Sequence, residues 1–201
     1  MTRTLDARQL DAAAAAYTRA FMDDPFSVWV TPDPLRRGHD LPLFFRMAMR
    51  YAMRFGGCVE VSDQQPRAVA TWLAPTHPLP TNLGLLRSGL LGMLWAGGWS
   101  GAGRFFTFGD TLEGLHARDV AEPHWYLWLL AVDPPSQGKG LGGALLRPRL
   151  QEADRDALPC YLETAKESNV YLYQRFGFEV LREQKLGKHG PRFWTMLRAP
   201  R

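Results

Sequence analysis

Cysteine is scarce in this chain. Cys58 and Cys160 are the two present, and neither stands in a redox or zinc-ligand spacing. That removes disulfide scaffolds and Cys-rich metal modules and fits two buried thiols in a reducing compartment. The five histidines contain no H-E-x-x-H pair, so no metal is expected. Long hydrophobic runs are missing as well. Leu83 to Trp99 comes nearest, but Arg87 interrupts it and it falls short of the ~20 apolar residues of a spanning helix. No basic-then-apolar leader opens the chain, because Asp6 and Asp11 interrupt it, and a cytoplasmic location is the default expectation. Charge of one sign is only slightly in excess. A net charge of +4 and a pI near 9.3, spread over scattered arginines and lysines, suit an anionic small ligand and leave no nucleic-acid footprint.

What is present reads as a globular protein. Hydrophobic residues make up 46% and charged residues 22% of 201 positions, enough for one well-cored domain spanning 1–201. Asp6 caps a helix running through Ala12–Ala16 to Met22, ended by Asp23-Asp24-Pro25. A second helix is expected from about Asp40 to Phe55, with Pro42 near its start. Cys58–Val61 and Ala68–Leu73 read as a hairpin. Trp125–Val132 is a continuous apolar run ending at Asp133-Pro134-Pro135, the pattern of a strand buried on both faces. A helix from about Leu141 to Arg155 follows, which Pro148 should kink. Cys160–Thr164 is a further strand, Asn169–Phe176 a short helix, and Phe178–Leu181 with Phe193–Leu197 a closing hairpin. The order predicts an α/β fold, a mixed sheet with parallel pairing at its centre.

Between the central strand and its helix lies Gln137-Gly138-Lys139-Gly140-Leu141-Gly142. Glycines there let the backbone approach a ligand and turn its N–H groups inward, while the helix N-terminus adds partial positive charge. That suits a pyrophosphate. The dinucleotide pattern G-x-G-x-x-G and the P-loop are both unmet. The segment resembles instead the Q/R-x-x-G-x-G/A signature of the GNAT superfamily of N-acetyltransferases, with Gln137, Gly140 and Gly142 in register. Asn169, Tyr173 and Gly177-Phe178 resemble that superfamily's N-x-x-x-Y-x-x-x-G-F in the right order and separation. Ala68–Trp72, Glu122–Trp125 and Leu162–Thr164 add a likeness to the puromycin N-acetyltransferase-like small-molecule acetyltransferases. That likeness does not reach residues 76–121.

The resemblance implies a GNAT fold whose central parallel strands splay apart, and acetyl-CoA as co-substrate. It implies that the backbone of Leu130, Ala131 and Val132 pairs with the pantetheine arm, that the amides of Gly138 to Gly142 hold the pyrophosphate, and that Asn169 reaches the cofactor amide or caps its helix. Direct transfer to an amine needs a neutral nucleophile, a stabilised oxyanion and a proton for the thiolate. Tyr173 occupies the position of the family's general acid and can also cover the pantetheine. Glu163, near a strand end, is the candidate base; His116 and His124 are alternatives, although a solvent-facing role for His116 is the simpler expectation. The acceptor is expected to be a small-molecule primary amine, with a peptide acceptor or a non-catalytic acyl-CoA sensor as competing readings. Residues 76–121, rich in Leu, Trp, Phe and Gly, are expected to form an insert that walls the acceptor site or joins two copies into a homodimer.

Overall fold

The computed structural model describes residues 3–76, 80, 85, 87–89 and 102–201. Asp6 opens the first helical segment with a complete capping box: its carboxylate accepts from the Arg8 amide, and Gln9 reaches back to the Asp6 amide. The turn Ala7–Gln9 is 3-10, and α1 (Leu10–Phe21) continues from it. Two further helices begin in one way. Asp24 caps α2 (Pro25–Val30) and Asp33 caps α3 (Pro34–Arg54), each followed by proline at the first helical position, where a missing N–H costs nothing. Asp23-Asp24-Pro25 therefore both ends α1 and starts a helix that the sequence pattern did not show. The second long helix likewise begins at Pro34, with Pro42 inside it. Arg37, buried, ties this corner together by donating to the carbonyls of Met22, Thr31 and Pro32.

One seven-stranded sheet runs in the order β1-β2-β3-β4-β5-β7-β6. Its strands are β1 (Arg3–Thr4), β2 (Cys58–Val61), β3 (Ala68–Leu73), β4 (Trp125–Val132), β5 (Cys160–Thr164), β6 (Glu179–Lys185) and β7 (Arg192–Arg198). The first of these was not expected, and β6 and β7 extend beyond the predicted hairpin. The remaining helices are α4 (Ala102–Asp119), α5 (Leu141–Arg155) and α6 (Glu167–Gln174). α5 continues through Pro148, which removes one backbone donor from its ladder. The apolar run from Leu83 to Trp99 lies largely outside the described residues.

Every neighbouring pair is antiparallel except β4 and β5, which meet in parallel at Trp125–Cys160 and Tyr126–Tyr161 and not beyond. From Leu127 onward the two strands part. A bulge accompanies the split: Trp72 pairs with Leu127 and Thr71 with Leu129, leaving Trp128 as an extra residue. An extra residue shifts the in-out alternation by one. Trp125, Leu127, Leu130 and Val132 consequently face the α5 side, while Tyr126, Trp128, Leu129 and Ala131 face α1 and α3. Tyr17 of α1 fixes the bulge, donating to the Leu129 carbonyl at 3.2 Å and sharing a 2.8 Å hydrogen bond with Thr71.

Two apolar cores flank the sheet. On one face Ala13, Ala16 and Tyr17 pack with Phe45, Met49 and Ala52; on the other Leu145, Leu146, Leu150 and Ala153 of α5 pack with Trp72 and Leu162. Burying each large apolar side chain contributes about 1.5–3 kcal/mol. These layers clamp β3, β4 and β5 from both faces, and the parting of β4 from β5 is held open between them.

Candidate active site

The split opens into a cleft of about 750 Å³. Its donor end is built by the turn after β4. Gly138 and Gly140 both have φ near +75°, a left-handed conformation that costs other residues roughly 1–2 kcal/mol. A Cβ at either would meet no protein atom within 4 Å, so these glycines serve the backbone path and leave its amides open to the cleft. Gly142 is different: a Cβ there would lie 3.5 Å from Val132 and 3.9 Å from Leu130, the close approach of α5 to β4. Gln137 donates to the Val132 carbonyl at 3.1 Å, fixing the turn to the strand end. Leu130, Ala131, Val132, Gln137, Gly138, Gly140, Leu141 and Gly142 all line the cleft. Lys139 does not; its ammonium donates to the Pro135 carbonyl. Three cations missed by sequence reasoning, Arg147, Lys166 and Arg175, lie on the wall.

The residues present therefore fit a CoA moiety. Open amides at a helix N-terminus suit the pyrophosphate, and the unpaired edge of β4 beyond Tyr126 offers amides and carbonyls to a pantetheine.

Glu163 of β5 and Tyr173 of α6 both line the cleft. Tyr173 is buried, and burial, with the Asp24 carboxylate nearby, holds its hydroxyl protonated by pushing its pKa up. Asn169 is the third residue of α6 and its amide donates to Thr164 Oγ1 at 3.3 Å, so it does not cap the helix. Glu163 is almost enclosed, its side chain 4% exposed. Its Oε2 accepts from the Tyr126 hydroxyl at 2.7 Å. Burial pushes its carboxyl pKa up to about 8 against the stabilising hydrogen bonds, close to where a general base at neutral pH is most useful.

His116 is not solvent-facing. It is buried with His124, and their Nε2 atoms are 2.5 Å apart. Both pKa values are lowered, His116 to about 3, mainly by burial. The pair stands behind Glu163, away from the cleft wall.

Sequence reasoning also missed Asp24. It is buried on the cleft wall, its pKa raised by desolvation, with the Lys166 ammonium 3.9 Å away. Asp40 also lines the cleft, as do Phe21, Phe26, Phe44 and Trp128. Carboxylates and cations thus share one cleft. Among the described residues no group of His, Cys, Asp and Glu is arranged to hold a metal, and no helix is long and apolar enough to cross a membrane.

Residues 70–178 match the model of the Acetyltransferase (GNAT) family. The chain belongs to that family. It is 29% identical over 185 residues to an uncharacterised N-acetyltransferase of Schizosaccharomyces pombe, covering 88% of this chain and 73% of the relative. A Corynebacterium glutamicum structure described as a histone acetyltransferase and related acetyltransferase superposes with a TM-score of 0.70 at 20% identity, covering 100% of this chain and 96% of that one. The polyamine N-acetyltransferase of Drosophila melanogaster gives 0.65 at 15% identity, covering 99% of each. At these identities the two structures speak for the fold. The protein is a GNAT acyltransferase, built on the superfamily's mixed sheet and flanking helices.

Proposed function

We propose that this acetyltransferase uses acetyl-CoA to acetylate the primary amine of a small, partly aromatic molecule by direct transfer. The observation that carries this is one cleft, rich in aromatic residues, whose lining brings the buried carboxylates Asp24 and Glu163 together with Tyr173 where the strands split. Small-molecule recognition is supported by walls from α1, α2 and α3, whose Phe21, Phe26 and Phe44 leave an apolar slot with a few polar fixings. The Glu122–Trp125 segment adds its likeness to the puromycin N-acetyltransferase-like group, without naming the acceptor.

Acetyl-CoA supplies an acetyl group already activated as a thioester. The amides from Gly138 to Gly142 hold its pyrophosphate, and the free edge of β4 at Leu130 to Val132 positions its pantetheine, with Asn169 beside it. Asp24 attracts the acceptor as an ammonium. Glu163 takes a proton from that ammonium so that the nitrogen lone pair can attack, and Tyr173 holds a proton at its phenol oxygen for the departing thiolate. The balance is one ammonium and one thioester giving one amide, one thiol and one released proton.

Thiol release from acetyl-CoA, followed across a panel of aryl and alkyl amines, tests the reading. Turnover should favour aryl-bearing primary amines. Tyr173→Phe should lower kcat roughly ten- to a thousandfold with CoA affinity nearly intact. An unchanged kcat, with chemistry rate-limiting, reduces Tyr173 to packing. Asp24→Asn should raise KM for ammonium acceptors by roughly tenfold, the scale of one lost charge-assisted hydrogen bond.

A further inference from the structure

Among the described residues, two buried polar atoms behind the cleft lack a hydrogen-bond partner: Nδ1 of His116 and Oε1 of Glu163. They face each other at 3.9 Å. Buried polar groups are ordinarily satisfied, so an orphaned pair calls for a reason.

The reason begins one residue into the turn before β4. His124 Nδ1 lies 2.7 Å from the Glu122 carbonyl. A carbonyl only accepts, so this nitrogen carries the proton and His124 Nε2, in the neutral ring, is a bare lone pair. The 2.5 Å contact between the two Nε2 atoms then requires His116 to donate. With its proton committed there, neutral His116 has a bare Nδ1, and that lone pair is aimed at Glu163. Burial opposes the charging of either ring.

We propose that His116 and His124 are a tautomer-locked pair that presents an unprotonated ring nitrogen to Glu163 and so sets the pH at which this carboxylate can accept a proton. A carboxylate at Glu163 meets a lone pair; a carboxylic acid there finds an acceptor after a movement of about 1 Å, to reach hydrogen-bond distance. The pair favours the protonated form, and the lock comes from a backbone carbonyl two residues from His124. His116 and His124 touch no substrate in this arrangement. They are positioning residues acting through Glu163. The inference rests on the reading of Glu163 as base for its catalytic meaning, although the protonation argument holds without it.

The other titratable groups facing Glu163 push in known directions. Tyr126 on β4 donates a hydrogen bond that favours the carboxylate, Tyr161 on β5 gives its hydroxyl proton to Asp119 Oδ2 at 3.3 Å, and Asp119 on α4 opposes the carboxylate. Asp119 is itself held by Arg182 of β6 at 2.5 Å. None of these depends on the tautomer of His116.

The test reads nitrogen and carbon nuclei directly. In the intact protein, 15N spectra should show His116 protonated at Nε2 and His124 at Nδ1; a protonated Nδ1 on His116 overturns the proposal. The Glu163 carboxyl, assigned with Glu163→Gln, is then titrated by 13C NMR. His124→Leu removes the acceptor, so His116 should move its proton to Nδ1, now facing Glu163, and the midpoint should fall by about one pH unit or more. His124→Gln keeps a carbonyl oxygen for His116 to donate to and should restore the parent midpoint. A purely structural role predicts lower melting temperatures for both variants with no midpoint change. A midpoint that rises in His124→Leu means the pair carried positive charge, and refutes the lock. Should Glu163→Gln retain parent kcat, the base assignment fails while the carboxyl titration still decides the tautomers.

Discussion

Glycine and lysine stand side by side in the donor turn, and they make opposite predictions. Gly140 has φ near +75° with open space around its missing Cβ, whereas the Lys139 ammonium is turned back onto Pro135. Gly140→Val should therefore weaken CoA binding strongly, both by strain at a positive φ and by filling the cradle. Lys139→Ala should cost little. Calorimetry with CoA on the two variants checks this, and equal losses would mean that charge holds the ligand. Glu163 carries a second residue-scale prediction. Its folded pKa is raised to about 8 from 4.5, so the stability that its protonated form gives is full below 4.5 and lost as pH rises through 8. His116, lowered to about 3, works in the other direction: its contribution is full above 6.5 and lost as pH falls through 3. Glu163→Gln should thus gain melting temperature relative to the parent as pH rises from 5 to 9, measured by scanning calorimetry, while its rate loss shrinks as the acceptor deprotonates unaided. At this scale the donor turn was legible because phosphate cradles need glycine at fixed spacing. Asp24 was not, because one carboxylate serves both as helix cap and as cleft wall, and only the first has a sequence pattern.

Helices were read well where apolar periodicity ran long and poorly where a proline sat near an end. Asp24-Pro25 and Asp33-Pro34 both open helices, and Asp133-Pro134 opens a 3-10 turn. The signal was available, since an Asp cap followed by Pro at the first helical position is a start pattern; reading the proline as a stop concealed it. The split of β4 from β5 is an element-scale feature that the resemblance implied and that the strand's own pattern could not give. A bulge is set by pairing with β3, not by the order of apolar residues in β4. Residues 76–121 remain the proposed wall of the acceptor site. Of these, α4 contributes Leu112 to the cleft, whereas Trp95, expected there, lies outside the described residues. Leu112→Ala should alter relative kcat/KM across acceptor amines with CoA affinity unchanged; uniform loss across all amines would remove α4 from acceptor choice.

For the whole molecule, the sheet divides the labour. Its α5 face anchors the donor turn, and its α1–α3 face supplies aromatic walls. At the end of β4 the two sides are also tied by Arg19 of α1, which grips Asp133 at 2.8 and 2.7 Å. The histidine pair could not be read at any scale of the sequence. His116 lies in the last turn of α4, His124 precedes a strand, and only tertiary packing brings them together. The same bulge that splays the strands also leaves Trp128 on the cleft wall, partly buried and set edge-on to Phe44 and Tyr51. Trp72 is fully enclosed on the far side. The protein consequently contains its own optical reporter. A ligand entering the cleft changes the polarity around Trp128, so tryptophan emission should shift on titration with CoA or an acceptor amine, and Trp128→Phe should reduce that response while leaving the emission of the enclosed Trp72 in place.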